Sequence, residues 1–245
     1  MATLNKRSIV EVRNHIINLL PSKDREHLLP HLKPVSLTKG QLVYGPREGI
    51  RYVYFPEDGL VSLVSMTDSG QTIEVGMVGS EGIVGLPVIW KASSLPYQVI
   101  VQIPGQAWRV RADVFRREFD RCGKLQAILL RYTSAAFTQV SQTVVCNRFH
   151  TIEERLCRWL LMSCDLAKSE NLALTQEILS VMLGATRTLV TETAGALQKA
   201  RLISYQRGQI QILDRQKMEE VSCECYPIIR DAFSHFLETN IAAVH

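Results

Sequence analysis

Apolar positions change their period several times along the chain. Ile9, Val12, Ile16, Ile17 and Leu20 recur at helical spacing until Pro21 stops them, and Ser22 restarts a short helix through Leu28 and Leu29 to Pro30. From Lys33 to Arg111 the pattern shifts to short β-like runs: Pro34–Leu37, Gln41–Tyr44, Tyr52–Phe55, Leu60–Met66, Thr72–Val78, Val99–Ile103 and Ala107–Val110. Turn residues separate them, among them Gly45-Pro46, Asp58-Gly59, the hairpin signal Asp68-Ser69-Gly70, and Pro104-Gly105. Strands at this spacing predict a small antiparallel β-barrel or jelly roll. Helical spacing returns over Ala112–Asp120 and again, after Gly123, from about Lys124 to Asn147.

That last helix carries an apolar stripe of Leu125, Ile128, Leu129, Tyr132, Ala136, Val140 and Val144. A stripe this long beside a complete β-domain predicts a partner helix, the parallel coiled coil of a homodimer; the plainer alternative is a helix that covers the barrel. Its expected dimer positions are Leu125, Leu129, Tyr132, Ala136, Val140 and Val144. A further helix, His150–Asp165, opens on a capping box of Thr151 and Glu154, so Arg148–His150 is the predicted hinge. Lys168–Asn171 reads as a polar loop.

The stretch from Leu174 to Leu213 has the strongest local signal. Thr175 can cap a helix that buries Leu179 and Leu183, Gly184 supplies a turn with positive φ, and Thr186 caps a longer helix to about Arg201. Leu189, Val190 and Leu197 are expected to point inward, leaving Arg187, Thr188, Thr191 and Glu192 on the other side. This is the layout of a helix-turn-helix whose second helix meets base edges. Ile203 and Tyr205 alternate against Ile210 and Ile212 around Arg207-Gly208, as a wing would. Arg215–Val221 and a last helix from Pro227 through Ile241 follow, the latter expected to pack on its own domain. The predicted class is α+β, with domains at 1–121 (β-domain with leading helices), 122–149 (dimerisation helix) and 150–245 (winged helix-turn-helix).

Composition narrows this only slightly. The 245 residues are 46% apolar and 21% charged, as in a globular protein, and the net charge of +4 permits nucleic acid without arguing for it. Within 169–214, Arg187, Lys199, Arg201 and Arg207 are balanced by Glu170, Glu177, Glu192 and Asp214, so geometry and not charge supports DNA reading. No run of 18 apolar residues and no signal-peptide core is seen, so the expectation is a cytoplasmic protein without membrane association. The six cysteines, at 122, 146, 157, 164, 223 and 225, form no Cys-x-x-Cys pair. No metal site is expected from them; Cys146 and Cys157, near the hinge, suit an oxidant sensor but read rather as small core residues. There is no glycine-rich phosphate loop, Gly-x-Ser-x-Gly elbow or His-Glu-x-x-His motif, so no enzyme is expected. Gly76, Gly79, Gly82 and Gly85 fit turns of the β-domain.

The segments LTQEILSVMLGATRTLV and ALQKARLISYQRGQIQILD, placed after a β-domain and a long helix, resemble the cAMP receptor protein/Fnr superfamily of bacterial transcription regulators. The resemblance spans roughly residues 10–215 and includes VGMVGSEGIVG, similar to the family's effector segment. It implies a homodimer in which a signal in the barrel re-aims two recognition helices on a palindromic site in double-stranded promoter DNA, recruiting or blocking RNA polymerase. The family's base-reading pattern Arg-Glu-x-x-x-Arg falls here on Arg187, Thr188 and Glu192, and only the arginine is kept. With Thr191 these are the expected base-reading residues, Arg187 suiting guanine O6 and N7 and Glu192 a cytosine amino group. Thr175, Gln176, Thr186 and Arg207 are expected at phosphates. A second reading keeps the chain as a small-molecule or protein-binding module whose helix-turn-helix does not read DNA.

By the same resemblance the effector pocket would involve Gly79, Glu81, Gly82, Tyr97 and Ser141. The family's phosphate-binding arginine is missing: Leu95-Pro96-Tyr97-Gln98-Val99 stands in its place, and no arginine occurs between Arg51 and Arg109. A buried phosphate without a cation is costly, so cAMP is not expected and the small-molecule effector is left open. No cysteine precedes Cys122 to hold the family's iron–sulfur cluster, and no histidine lies between His31 and His150 to hold a barrel haem. No cofactor is therefore expected.

Overall fold

The computed structural model describes residues 12–238; Ile9 and Ile241, assigned to helices above, lie outside them. Asn14 caps α1 (His15–Leu19), and α2 (Ser22–Leu28) follows. Seven strands build the β-domain: β1 (Lys33–Leu37), β2 (Leu42–Tyr44), β3 (Tyr52–Pro56), β4 (Leu60–Met66), β5 (Thr72–Val78), β6 (Gln98–Ile103) and β7 (Gly105–Arg111). They pair antiparallel in two sheets, ordered β1-β7-β3 and β2-β6-β4-β5, the layered arrangement expected of a jelly roll. A 3-10 turn at Leu86–Trp90, not foreseen in the sequence, sits between β5 and β6.

The α3 helix (Ala112–Asp120) leads into α4 (Lys124–Phe149), the 26-residue long helix. The capping box of Thr151 and Glu154 opens α5 (Ile152–Ala167) as anticipated. The C-terminal unit adds β8 (Asn171–Leu172), α6 (Gln176–Leu183), α7 (Arg187–Lys199), β9 (Ile203–Gln206), β10 (Gln209–Ile212), α8 (Arg215–Val221) and α9 (Cys225–Glu238). Its sheet is β8-β10-β9, so the segment read as a polar loop contributes a third strand to the wing.

One expectation about the helices needs correction, and a second holds only in part. Leu125, Leu129 and Tyr132 do not face a partner: they are buried in the chain's own core with Ile128, Phe55 and Phe115. The stripe merged two faces, because α4 is apolar both toward its own β-domain and away from it. The α9 helix packs on its own domain through Tyr226 and Ile229, as expected, but not only there. It runs against α4, where Phe233 and Phe236 meet the Tyr132 ring at 6.1 and 5.6 Å between centroids.

The two ends of the chain share a core. Leu60, Val64 and Met77 of the β-domain are buried with Trp159, Leu160, Leu179 and Leu183 of the C-terminal unit. At this junction the Glu74 carboxylate, fully buried, accepts hydrogen bonds from the Trp159 indole N–H (2.8 Å) and the Ser62 hydroxyl. Lys39 Nζ donates to the Ala173 carbonyl (2.6 Å), tying β1–β2 to the start of the helix-turn-helix.

Burial raises the Glu74 carboxyl to about 7 despite those two donors, and burial likewise raises Glu81 to about 7 despite the Gly79 amide. The folded protein thus holds these protons more tightly than the unfolded chain. Their contribution is full below about pH 4.5, the ordinary glutamate value, and is lost as pH rises through about 7. Glu74→Gln, which keeps an acceptor for Trp159 without a charge, is expected to flatten this dependence. Urea unfolding of wild type and variant between pH 5 and pH 8 measures it (chosen to span the roughly 4.5–7 window); parallel pH profiles would refute the assignment.

Candidate nucleic-acid interface and sensor cavity

The helix-turn-helix forms as its local chemistry dictates. The Thr175 hydroxyl accepts from the Ile178 amide and the Thr186 hydroxyl from the Leu189 amide, each at 3.3 Å, so both helices start on a side-chain cap. Gly184 ends α6 with φ +57, and an added Cβ would lie 2.9 Å from Ile73 of β5, so both conformation and space call for glycine. Val190, Thr193, Ala194 and Leu197 bury one side of α7. Thr193 departs from the larger apolar residue of the family pattern, and its hydroxyl is satisfied by the Leu189 carbonyl at 2.8 Å. Leu189, expected inside, is instead 41% exposed because it falls on the outward turn just after the cap.

Arg187, Thr188, Thr191 and Glu192 lie together on the exposed side of the first two turns of α7. Thr191 donates its hydroxyl proton to the Arg187 carbonyl (2.8 Å) and stays exposed. Thr175, Thr186 and Arg207 are exposed around this face, and Gln176 is half-buried. Arg207 (φ +50) and Gly208 (φ +75) form the two-residue turn of the wing hairpin, which pairs Tyr205 with Ile210 and Ile203 with Ile212.

The predicted effector residues are not brought together. The Glu81 carboxylate folds back to accept from the Gly79 amide (2.9 and 3.1 Å), so it is engaged within its own loop. Gly82 is occupied from the other side: a Cβ there would lie 2.1 Å from the Tyr132 hydroxyl, so this glycine gives α4 its close approach. The Gln139 side-chain carbonyl accepts from the Met77 amide at 2.8 Å and completes that docking. Tyr97 does line a cavity of about 450 Å³ between β-domain and α4, with Leu63, Val99, Tyr132 and Phe137. Glu81 borders a different cleft of about 340 Å³ against α5 and α9, and Ser141 lines neither. No charged side chain lines the larger cavity among the described residues. Among the described residues no arginine lines this cavity.

The cysteines divide into two groups. Cys157 and Cys164 are buried on α5, and burial pushes each thiol up to about 12, which makes Cys157 a poor oxidant sensor. Cys146, Cys223 and Cys225 form a separate buried cluster at the junction of α4 and α5 and converge with His150. Cys146 is buried as a core cysteine would be, but its convergence with Cys223, Cys225 and His150 was not expected from the sequence. The Cys223 hydrogen bond and the Arg158 charge hold the Cys146 thiol below the usual thiol range.

Comparison with known proteins matches the same two regions. The family model of the cyclic nucleotide-binding domain matches residues 34–122, and that of the Crp-like helix-turn-helix domain matches residues 154–221. The chain is similar to the Global nitrogen regulator of Synechococcus elongatus, 21% identical over 185 residues that cover 72% of this chain and 83% of that protein. Among solved structures, FixK2 from Bradyrhizobium japonicum superposes with a TM-score of 0.68 at 18% identity, covering 78% of this chain and 98% of that one. The c-di-GMP responsive global regulator CLP of Xanthomonas campestris gives 0.64 at 14%, covering 79% and 100%. At such identities the structural likeness speaks for the fold, and the two matched domains, in this order along one chain, carry the assignment. The chain belongs to the Crp/Fnr family of transcription regulators.

Proposed function

We propose that this regulator works as a homodimer that reads a palindromic duplex with α7 and answers to an uncharged, largely apolar small molecule. The observation that carries DNA reading is the face of Arg187, Thr188, Thr191 and Glu192: it is exposed on a helix capped and backed by its own core. Were the helix-turn-helix only a packing device, that face would be covered. Arg187 suits guanine, Glu192 suits a cytosine amino group, and Thr175, Gln176, Thr186 and Arg207 suit phosphates. Since Thr188 and Glu192 replace the family's Glu and Arg, the preferred site differs from the family's usual one. Promoter occupancy then recruits or blocks RNA polymerase.

Dimerisation is supported by the outer face of α4. Leu130 (53% exposed), Phe137 (71%) and Val144 (65%) recur every seven residues, with Val140 between them and Phe149 beyond. That is a coiled-coil seam laid open to solvent. Of the positions expected from the sequence, Val140 and Val144 belong to this seam and Ala136 flanks it. The cavity of Tyr97 and Phe137 opens beside the seam, so a ligand there would touch the helix that links the subunits. Its apolar, uncharged lining disfavours cyclic nucleotides, whose phosphate would be buried without a cation.

Binding-site selection at moderate salt should return a palindrome. Arg187→Ala should cost about 1–3 kcal/mol at one base position in each half-site and leave the others unchanged; an equal loss on every sequence would reassign Arg187 to a phosphate. Phe137→Glu should convert a dimer to a monomer in sedimentation velocity and abolish preference for the full palindrome over a half-site. An unchanged dimer would move the interface off α4. Saturating cAMP is expected to leave the melting temperature of the wild-type protein unchanged, whereas a ligand of the folded state would raise it.

A further inference from the structure

Four side chains from distant parts of the sequence meet at the hinge. Cys146 lies on the last turn of α4, His150 is its C-cap, and Cys223 and Cys225 flank the junction of α8 and α9. Their sulfur and ring-nitrogen atoms all lie within 4.8 Å of one another. Cys146 Sγ and Cys223 Sγ are 3.5 Å apart, and Cys225 Sγ and His150 Nδ1 3.6 Å. A tetrahedral ion with sulfur at about 2.3 Å and nitrogen at about 2.1 Å has ligand–ligand edges of about 3.6–3.8 Å. The sulfur–nitrogen edge matches that figure and the sulfur–sulfur edge falls a few tenths of an ångström inside it.

The surroundings are those of a metal site as well. His150 turns Nδ1 to the cluster and Nε2 to the Glu224 carboxylate (3.1–3.2 Å), the outer partner that fixes the tautomer of a ligating imidazole. Arg158, only 4% exposed, donates to Cys146 Sγ (3.2 Å) and Met162 Sδ (3.3 Å), and no carboxylate is within ion-pair range of it among the described residues. A buried guanidinium needs an anion. Three thiolates and a neutral imidazole around a divalent ion carry one net negative charge, which Arg158 balances.

We infer that Cys146, His150, Cys223 and Cys225 form a structural zinc site that pins the α8–α9 junction to the hinge between α4 and α5. Zinc is favoured because three thiolates and one imidazole close a tetrahedron with no open position. A two-iron cluster would need its ligand pairs spread over two metals, wider than this grouping. Binding displaces the three thiol protons to solvent and changes no oxidation state. The site does not depend on which DNA or effector the protein takes.

The test is metal analysis of the full-length wild-type protein purified without chelators. Zinc at about one per chain is expected, and cobalt substitution should give the intense visible bands and thiolate charge-transfer absorption of a tetrahedral site. Glu224→Gln should weaken zinc retention about 10–100-fold, Cys223→Ser with Cys225→Ser should abolish it, and Cys122→Ser, remote and exposed, should leave it intact. Should the double variant fail to fold, the wild-type cobalt spectrum still decides. The inference is overturned if wild type binds neither zinc nor cobalt stoichiometrically, if it carries iron with acid-labile sulfide, or if anaerobically prepared protein shows Cys146 and Cys223 joined as a disulfide.

Discussion

The α4 helix has to serve three surfaces at once, and the other parts of the molecule are arranged around that demand. Its 26 residues span about 39 Å. One face is committed to the β-domain: Tyr132 rests on the Gly82 backbone, and Gln139 takes the Met77 amide. A second is covered by α9 through Phe233 and Phe236. The third, running from Leu130 to Phe149, stays open. A helix of one apolar stripe could not do this, and the low separation of polar and apolar positions around α4 follows from having to bury two sides.

The same demand explains what was legible in the sequence and what was not. The helix-turn-helix was readable almost residue by residue, because caps at Thr175 and Thr186 and positive φ at Gly184 are local decisions. The strands of the β-domain were readable from alternation and turns. The faces of α4 were not, since spacing reports that Leu125 and Val144 are apolar but not which of them meets its own subunit. Likewise β8 was too short for any alternation to register, and it exists because Leu172 pairs with Ile210. The hinge cluster was invisible for another reason. Cys146 and His150 are an i, i+4 pair, Cys223 and Cys225 a Cys-x-Cys, and only the return of α9 along α4 brings the pairs together.

The segment that resembles the family's effector loop is packed on itself and on α4. Gly79 and Glu81 hold each other, and Gly82 makes room for a tyrosine. A Cβ at Gly79 would meet Glu81 and Leu166, and one at Gly82 would meet Tyr132, so both positions are closely packed. What space remains between the β-domain and α4 is lined by Leu, Val, Tyr and Phe, and its chemistry follows from that lining.

Any movement of the DNA-binding unit has to break the junction it shares with the β-domain. Separating the two would expose Leu60, Val64 and Met77, and would take from Glu74 its indole partner. Apolar burial is worth about 25 cal/mol per Å², so exposing these side chains opposes such a step. A ligand can shift the equilibrium only by the difference between its affinities for the two arrangements. A small molecule in the cavity beside Tyr97 and Phe137 does not touch Glu74 or Trp159. Gln139 and Met77 border that cavity and join α4 to β5. Met77 belongs to the same buried cluster as Trp159 and presents its amide to Gln139, so its strand packs on the C-terminal unit and on α4 at once.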